Sequence, residues 1–128
     1  ALAIAAPPYR RRFLKDPGSQ PEARAEMLQR ARSDSMFSIC HALEAVNGRG
    51  TPSENCFSQD LGAELGIKMT GGSDAHKLEQ LGTAATHFPN PITGLDDLIQ
   101  ELRQGRFEAV DLRDGQGANN RANDNEPE

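Results

Sequence analysis

Cysteine, basic charge and long apolar runs are all scarce in this chain. Only Cys40 and Cys56 occur among its 128 residues. Their separation is neither a C-x-x-C pair nor a zinc-ligand spacing, so no cysteine metal module or disulfide framework is built from them. Two free thiols in an otherwise ordinary composition point to a reducing cytoplasm. Lysine and arginine number 14 against 19 aspartates and glutamates, a net charge of -5. A surface that tracks nucleic-acid phosphates is normally basic, so non-specific nucleic-acid binding is not expected. No apolar run approaches the ~20 residues of a membrane span, and Ala1–Ala6 is too short and uncharged at its start for a signal peptide. Glycine-rich nucleotide motifs are missing as well.

What remains is a small soluble chain whose apolar residues alternate between two periods. A chain of this length can bury about two-thirds of its unfolded surface, enough for a modest core. Leu2–Ala6 begins as a strand. Ser19, with Pro21 and Glu22 behind it, caps a helix over 21–32 with Met27, Leu28 and Ala31 on one face. The run 36–41 fits neither period. Leu43–Asn47 is strand-like. Thr51-Pro52-Ser53-Glu54 is a capping box, and Phe57, Leu61 and Leu65 recur until Gly66 stops the helix. Ile67–Thr70 alternates as a strand. A further helix is expected from Thr93, with Leu95, Leu98, Ile99 and Leu102 on one face and Gly105 as its end, before a last strand over 107–112. Alternating strands and helices predict an α/β fold with a largely parallel sheet. From 113 to 128 the chain is acidic and Asn-rich without a large apolar residue, and it is expected to be a disordered tail.

The most informative stretch is Thr70-Gly71-Gly72-Ser73-Asp74-Ala75-His76. A strand end followed by two glycines lets the backbone turn and presents a carboxylate and an imidazole two residues apart. Such oxygen and nitrogen donors suit Zn, Mn or Fe. By residue type alone, each is more often a helix cap or surface group. Gly71–His76, the preceding Ala42–Arg49 and the following Leu81–Phe88 together resemble the C-terminal half of the PHP family, the polymerase and histidinol phosphatase superfamily of metal-dependent phosphoesterases. The closing Glu101–Phe107 is similar to that family's last helix and strand. The resemblance covers 1–112.

It implies a distorted seven-stranded, TIM-like β/α barrel with metal ions at its mouth and Asp74 and His76 as ligands. A phosphorylated small molecule or nucleotide would be the substrate. Two family motifs are not matched. No His-x-His pair can be made from His41, His76 and His87. Where the family has a ligand histidine before proline, this chain has Pro7, ahead of Pro8-Tyr9-Arg10. The metal site in this chain is therefore expected to be incomplete, with other ligands coming from an N-terminal half or a partner chain. Ala1–Ala6 would be a barrel strand cut off from what precedes it.

Other residues carry two readings each. Glu44 and Asn47, at a strand end facing the presumed mouth, either support metal or substrate or cap the following loop. Arg10, within Arg10-Arg11-Arg12, is either solvated or a clamp for an anionic substrate. His41 is expected to be a hydrogen-bonded structural histidine. His87 faces solvent or a neighbour. Ser73 is expected to cap a turn, having no adjacent base to make it a nucleophile. The expected function is a phosphoesterase segment, inactive alone, with a degenerate binding or assembly module as the alternative.

Overall fold

The computed structural model describes residues 1–7 and 21–113. The Arg10–Arg12 cluster, the Ser19 cap and residues 114–128 of the tail expected over 113–128 lie outside the described residues, whereas Arg113 is placed and hydrogen-bonded to Asp111 and Gly50. The elements are β1 (Ile4–Ala5), α1 (Pro21–Ser33), α2 (Met36–Ile39), β2 (Ala42–Asn47), α3 (Pro52–Leu65), β3 (Lys68–Gly72), a 3₁₀ turn (Leu78–Gln80), β4 (Ala84–His87), α4 (Leu95–Gln104) and β5 (Glu108–Asp111). No helix among the described residues is long and apolar enough to cross a membrane.

β1, β2 and β3 form a parallel sheet with β2 in the centre. Ala42-Leu43-Glu44-Ala45-Val46 is apolar on both faces except at Glu44, as a central parallel strand covered from two sides requires. Between Glu44 and Val46 the register against β3 shifts by one residue. This bulge re-aims the last residues of β2.

On one face, Leu43, Ala45 and Ala5 pack with Met69 and Ile67. Phe57 and Leu61 of α3 build a second cluster there with Ala31 and Phe37. α3 forms as expected. The Thr51 hydroxyl accepts from the Glu54 N–H, the Glu54 carboxylate accepts from the Thr51 N–H, and Gly66 ends the helix at φ 64°. Arg24–Asp60 and Arg32–Glu64 ion pairs join α1 to α3. The unassigned run becomes α2, whose one buried residue, Phe37, plugs the α1–α3 core.

On the other face, Leu102 and Phe107 cover Ala42, with Leu2, Phe88 and Leu98 around them. Here the sequence expectations need three corrections. α4 begins one residue later than a Thr93 cap implies, because the Thr93 N–H and hydroxyl both bond the Asp97 carboxylate and Gly94 takes the cap position. Leu95 is 70% exposed and does not belong to the apolar face. The sheet is parallel only over three strands, since β4 and β5 pair antiparallel as a separate ribbon. Pro89 and Pro91 follow β4. Lacking N–H groups, they stop the strand and turn the chain away, and Asn90 ties this loop to Glu101 of α4. The ribbon leans on β3 through Thr86, whose hydroxyl accepts from the Gly71 N–H and donates to the Gly71 carbonyl. The architecture is mixed α/β, and these five strands do not close into a barrel.

Candidate metal-ligand pair and its arginine

Because β1, β2 and β3 are parallel, their ends at Ala5, Asn47 and Gly72 emerge along one edge, with β2 between the other two and Pro7 two residues past the end of β1. The exits of β2 and β3 are tied together by the Gly48 N–H donating to the Gly72 carbonyl at 2.9 Å. The approach is close enough that a Cβ on Gly48 would collide with the Thr83 hydroxyl and lie 2.8 Å from the Ser73 carbonyl. A Cβ on Gly72 would collide with the Glu44 carboxylate. Small residues at both positions are what let the two loops meet.

The β2 exit is rigidly held. Asn55, in the first turn of α3, accepts from the Asn47 N–H at 3.0 Å and donates to the Asn47 carbonyl at 3.1 Å, in the manner of a neighbouring strand. The Asn47 side chain accepts from the Arg49 N–H at 2.9 Å and donates to Glu44 at 3.2 Å. Of the two readings of Asn47, these contacts are those of a loop cap. Two residues past the end of β5, Arg113 donates to the Gly50 carbonyl at 2.9 Å while its other nitrogens grip Asp111 at 3.0 and 2.6 Å. The guanidinium bonded to Asp111 holds that carboxyl below the usual range.

The β3 exit carries the candidate ligands. Asp74 has φ 52°, the left-handed region that a residue with a Cβ enters at a cost. Ser73 caps the turn as expected, accepting from the Ala75 N–H at 3.3 Å. The Gln80 side chain accepts from the His76 and Lys77 N–H groups at 2.8 and 3.1 Å. His76 Nδ1 lies 2.7 Å from the Asp74 carbonyl, which can only accept. The hydrogen therefore sits on Nδ1, and Nε2 carries the lone pair. This is how a ligand histidine is commonly oriented. The His76 side chain is 63% exposed, so Nε2 is open to an incoming group.

Arg49, from the β2 exit, meets this pair. Its Nη1 is 2.9 Å from His76 Nδ1, 3.4 Å from His76 Nε2 and 3.6 Å from Asp74 Oδ2. An atom on the in-plane lone pair of one imidazole nitrogen lies far from the other nitrogen. Nη1, near both, is therefore laid against the ring face rather than bonded at its edge. A planar guanidinium stacks readily in this way. Arg49 was not singled out by sequence reasoning, since its partner His76 lies 27 residues away along the chain and no spacing rule joins them.

The remaining expected residues separate. Glu44 lines a cavity of about 420 Å³ on the α4 face with Thr70, Thr86, Phe88, Leu98 and Leu102, a wall that includes neither Asp74 nor His76. His41 is structural as expected, its Nδ1 accepting from the Ala3 N–H at 3.1 Å. His87 is exposed beside Glu108 at 3.2 Å. Arg10 is outside the described residues. Among the described residues no group of three His, Cys, Asp or Glu side chains is placed to hold an ion. Asp74 and His76 are two donor side chains lying side by side, with His76 Nδ1 3.9 Å from Asp74 Oδ1, one fewer than the three protein ligands of a typical catalytic zinc.

Residues 52–107 match the model of a family described as PHP-associated. The matched stretch runs from the start of α3 to Phe107 and contains Asp74 and His76, which supports a C-terminal region of the PHP superfamily there. Comparison with curated proteins and with solved structures gave no match.

Proposed function

We propose, starting from the PHP-associated match over 52–107, that the chain is the C-terminal segment of a PHP-type metal-dependent phosphoesterase. Asp74 and His76 supply two metal ligands in this reading, with the rest contributed by another segment or a partner chain. The observation that carries it is His76 itself, whose Nδ1 faces the Asp74 carbonyl at 2.7 Å and lies 3.9 Å from Asp74 Oδ1, which leaves Nε2 as the ring nitrogen with a lone pair for an ion. A divalent ion (Zn, Mn or Fe) bound there would activate water toward a phosphate ester of a small molecule or nucleotide. Asp74 and His76 hold and orient, Gln80 and Ser73 fix the loop, and Arg113 and Asn55 fix the facing one. With two ligands the chain alone does not hydrolyse phosphate esters.

Two measurements test this. Titration calorimetry with Mn²⁺ should give weak binding that Asp74→Ala and His76→Ala each remove; unchanged binding in both would put the ion elsewhere. Hydrolysis of a generic phosphate monoester should be no faster than for Asp74→Ala, and a metal-dependent excess would refute the inactivity of the isolated chain. A non-catalytic PHP-like binding or assembly module is the second reading. It is favoured by Pro7 at the position where the resemblance expects a histidine, and by a guanidinium already lying against the ligand pair.

A further inference from the structure

We infer that Arg49 is the resident cation of the Asp74–His76 pair and competes with a divalent ion for it. The inference rests on the reading of Asp74 and His76 as ligands and adds a regulatory element to that site. Three distances carry it. Nη1 lies 3.6 Å from Asp74 Oδ2 and 2.9 and 3.4 Å from the two ring nitrogens of His76, so one charged atom touches both candidate ligands. It is also held at its post. The Arg49 N–H is fixed by the Asn47 side chain, the next carbonyl, that of Gly50, is gripped by Arg113, and Gly48 is bonded to Gly72. The side chains of Arg49 and Asp74 are each 27% exposed, so solvent screens the contact only in part.

The consequence for an ion follows from geometry. A divalent ion on Nε2 sits about 2.1 Å from it, and with Nη1 3.4 Å from the same nitrogen the ion and the guanidinium are at most roughly 5.5 Å apart. Even with the dielectric of bulk water, repulsion between charges of +1 and +2 at that distance corresponds to about a tenfold loss of affinity. Partial burial increases it. Ion binding and the guanidinium's place beside Asp74 therefore oppose each other, and anything that draws Arg49 away favours the ion. A phosphate group is the chemistry best suited to do so, because it can accept from the displaced guanidinium. Ion and anionic substrate would then bind with positive coupling, each removing an obstacle to the other.

The full chain is titrated with Mn²⁺, chosen over Zn²⁺ because Cys40 and Cys56 could take zinc. Arg49→Met, which keeps a comparable apolar stem, should bind Mn²⁺ at least ~10-fold more tightly than wild type. Adding Asp74→Ala to it should abolish the gain. Equal affinity of wild type and Arg49→Met, with both lost on Asp74→Ala, overturns the competition while leaving the ligand assignment intact. Failure of every variant to bind overturns both, because removing the competitor should expose the pair. A second measurement does not depend on a folded variant. Mg²⁺ added to isotopically labelled wild type should move the Arg49 side-chain resonance together with that of His76, and inorganic phosphate added with the ion should steepen that titration. Movement at His76 with Arg49 stationary would overturn the proposal.

Discussion

At the scale of single residues, the site depends on where side chains are absent as much as on where they are present. Gly48 and Gly72 let the β2 and β3 exits approach within one hydrogen bond, and only then can Arg49 reach across to Asp74 and His76. Gly48→Ala places a methyl group into the Thr83 hydroxyl and against the Ser73 carbonyl, and at least one of these contacts is with backbone that cannot rotate away. It should cost about 1–3 kcal/mol, as overpacking of a fitted position does. Chemical denaturation would measure the loss. A cost near zero would mean that the two loops separate easily and that the Arg49 contact is not rigidly held. Asp74 makes the complementary point, a strained φ held by a cluster of loop hydrogen bonds at a residue of suspected function.

At the scale of elements, α3 and α4 differ in how their ends are fixed. α3 begins on a reciprocal capping box and lies under both the sheet and the Asn55–Asn47 clasp. Thr51→Ala removes one half of that box and should destabilise the protein by about 1 kcal/mol. A thermal melt would show it, and Thr51→Ser should recover most of it. At the C-terminal end of α4, Glu101 is pinched between Arg106, at 2.7 and 2.8 Å, and Asn90 at 3.2 Å. Hydrogen bonding to Arg106 holds the Glu101 carboxyl below its ordinary value of 4.5. A carboxyl lowered by folding contributes stability above its unfolded value and loses it as pH falls through the folded one. Glu101→Gln should therefore lower the melting temperature at neutral pH, and the gap to wild type should close as pH falls below 4.5. A gap that persists at low pH would mean that shape, not charge, is what Glu101 contributes.

For the whole molecule, the parallel sheet brings the ends of β1, β2 and β3 to one edge and so puts Pro7 on the same edge as the candidate site, two strands away across β2. Proline offers no donor and fixes its own φ, while Pro8 keeps it extended, so the strand keeps its path without a ligand. Pro7→His should add an imidazole as a third ligand beside the pair and tighten Mn²⁺ binding by at least ~10-fold. Equal affinity in a folded variant would mean that residue 7 does not face the pair, and that the likeness drawn for the first strand is misplaced. Cohesion between the layers rests on separate cores, one under α3 and one under α4. The site edge lies where neither covers it.

The sequence by itself determined the elements whose signals are local. The Thr51 capping box and Gly66 delimited α3, the 3.6-residue period marked α4, and Gly71-Gly72 followed by Asp74 and His76 marked a loop that could carry ligands. Such features involve neighbours within one turn or one strand, so their energetics are written in adjacent residues. Only the tertiary structure decided the rest. Whether β4 and β5 run parallel to the sheet depended on how Pro89, Pro91 and Asn90 turn the chain over α4. Whether 36–39, out of the run 36–41, became helix depended on a core that buries Phe37. That Arg49 lies on His76, and that Arg113 holds the Arg49 loop from just past β5, are contacts between positions remote in sequence. Their existence follows from strand order and a two-glycine approach, which no spacing within the chain encodes.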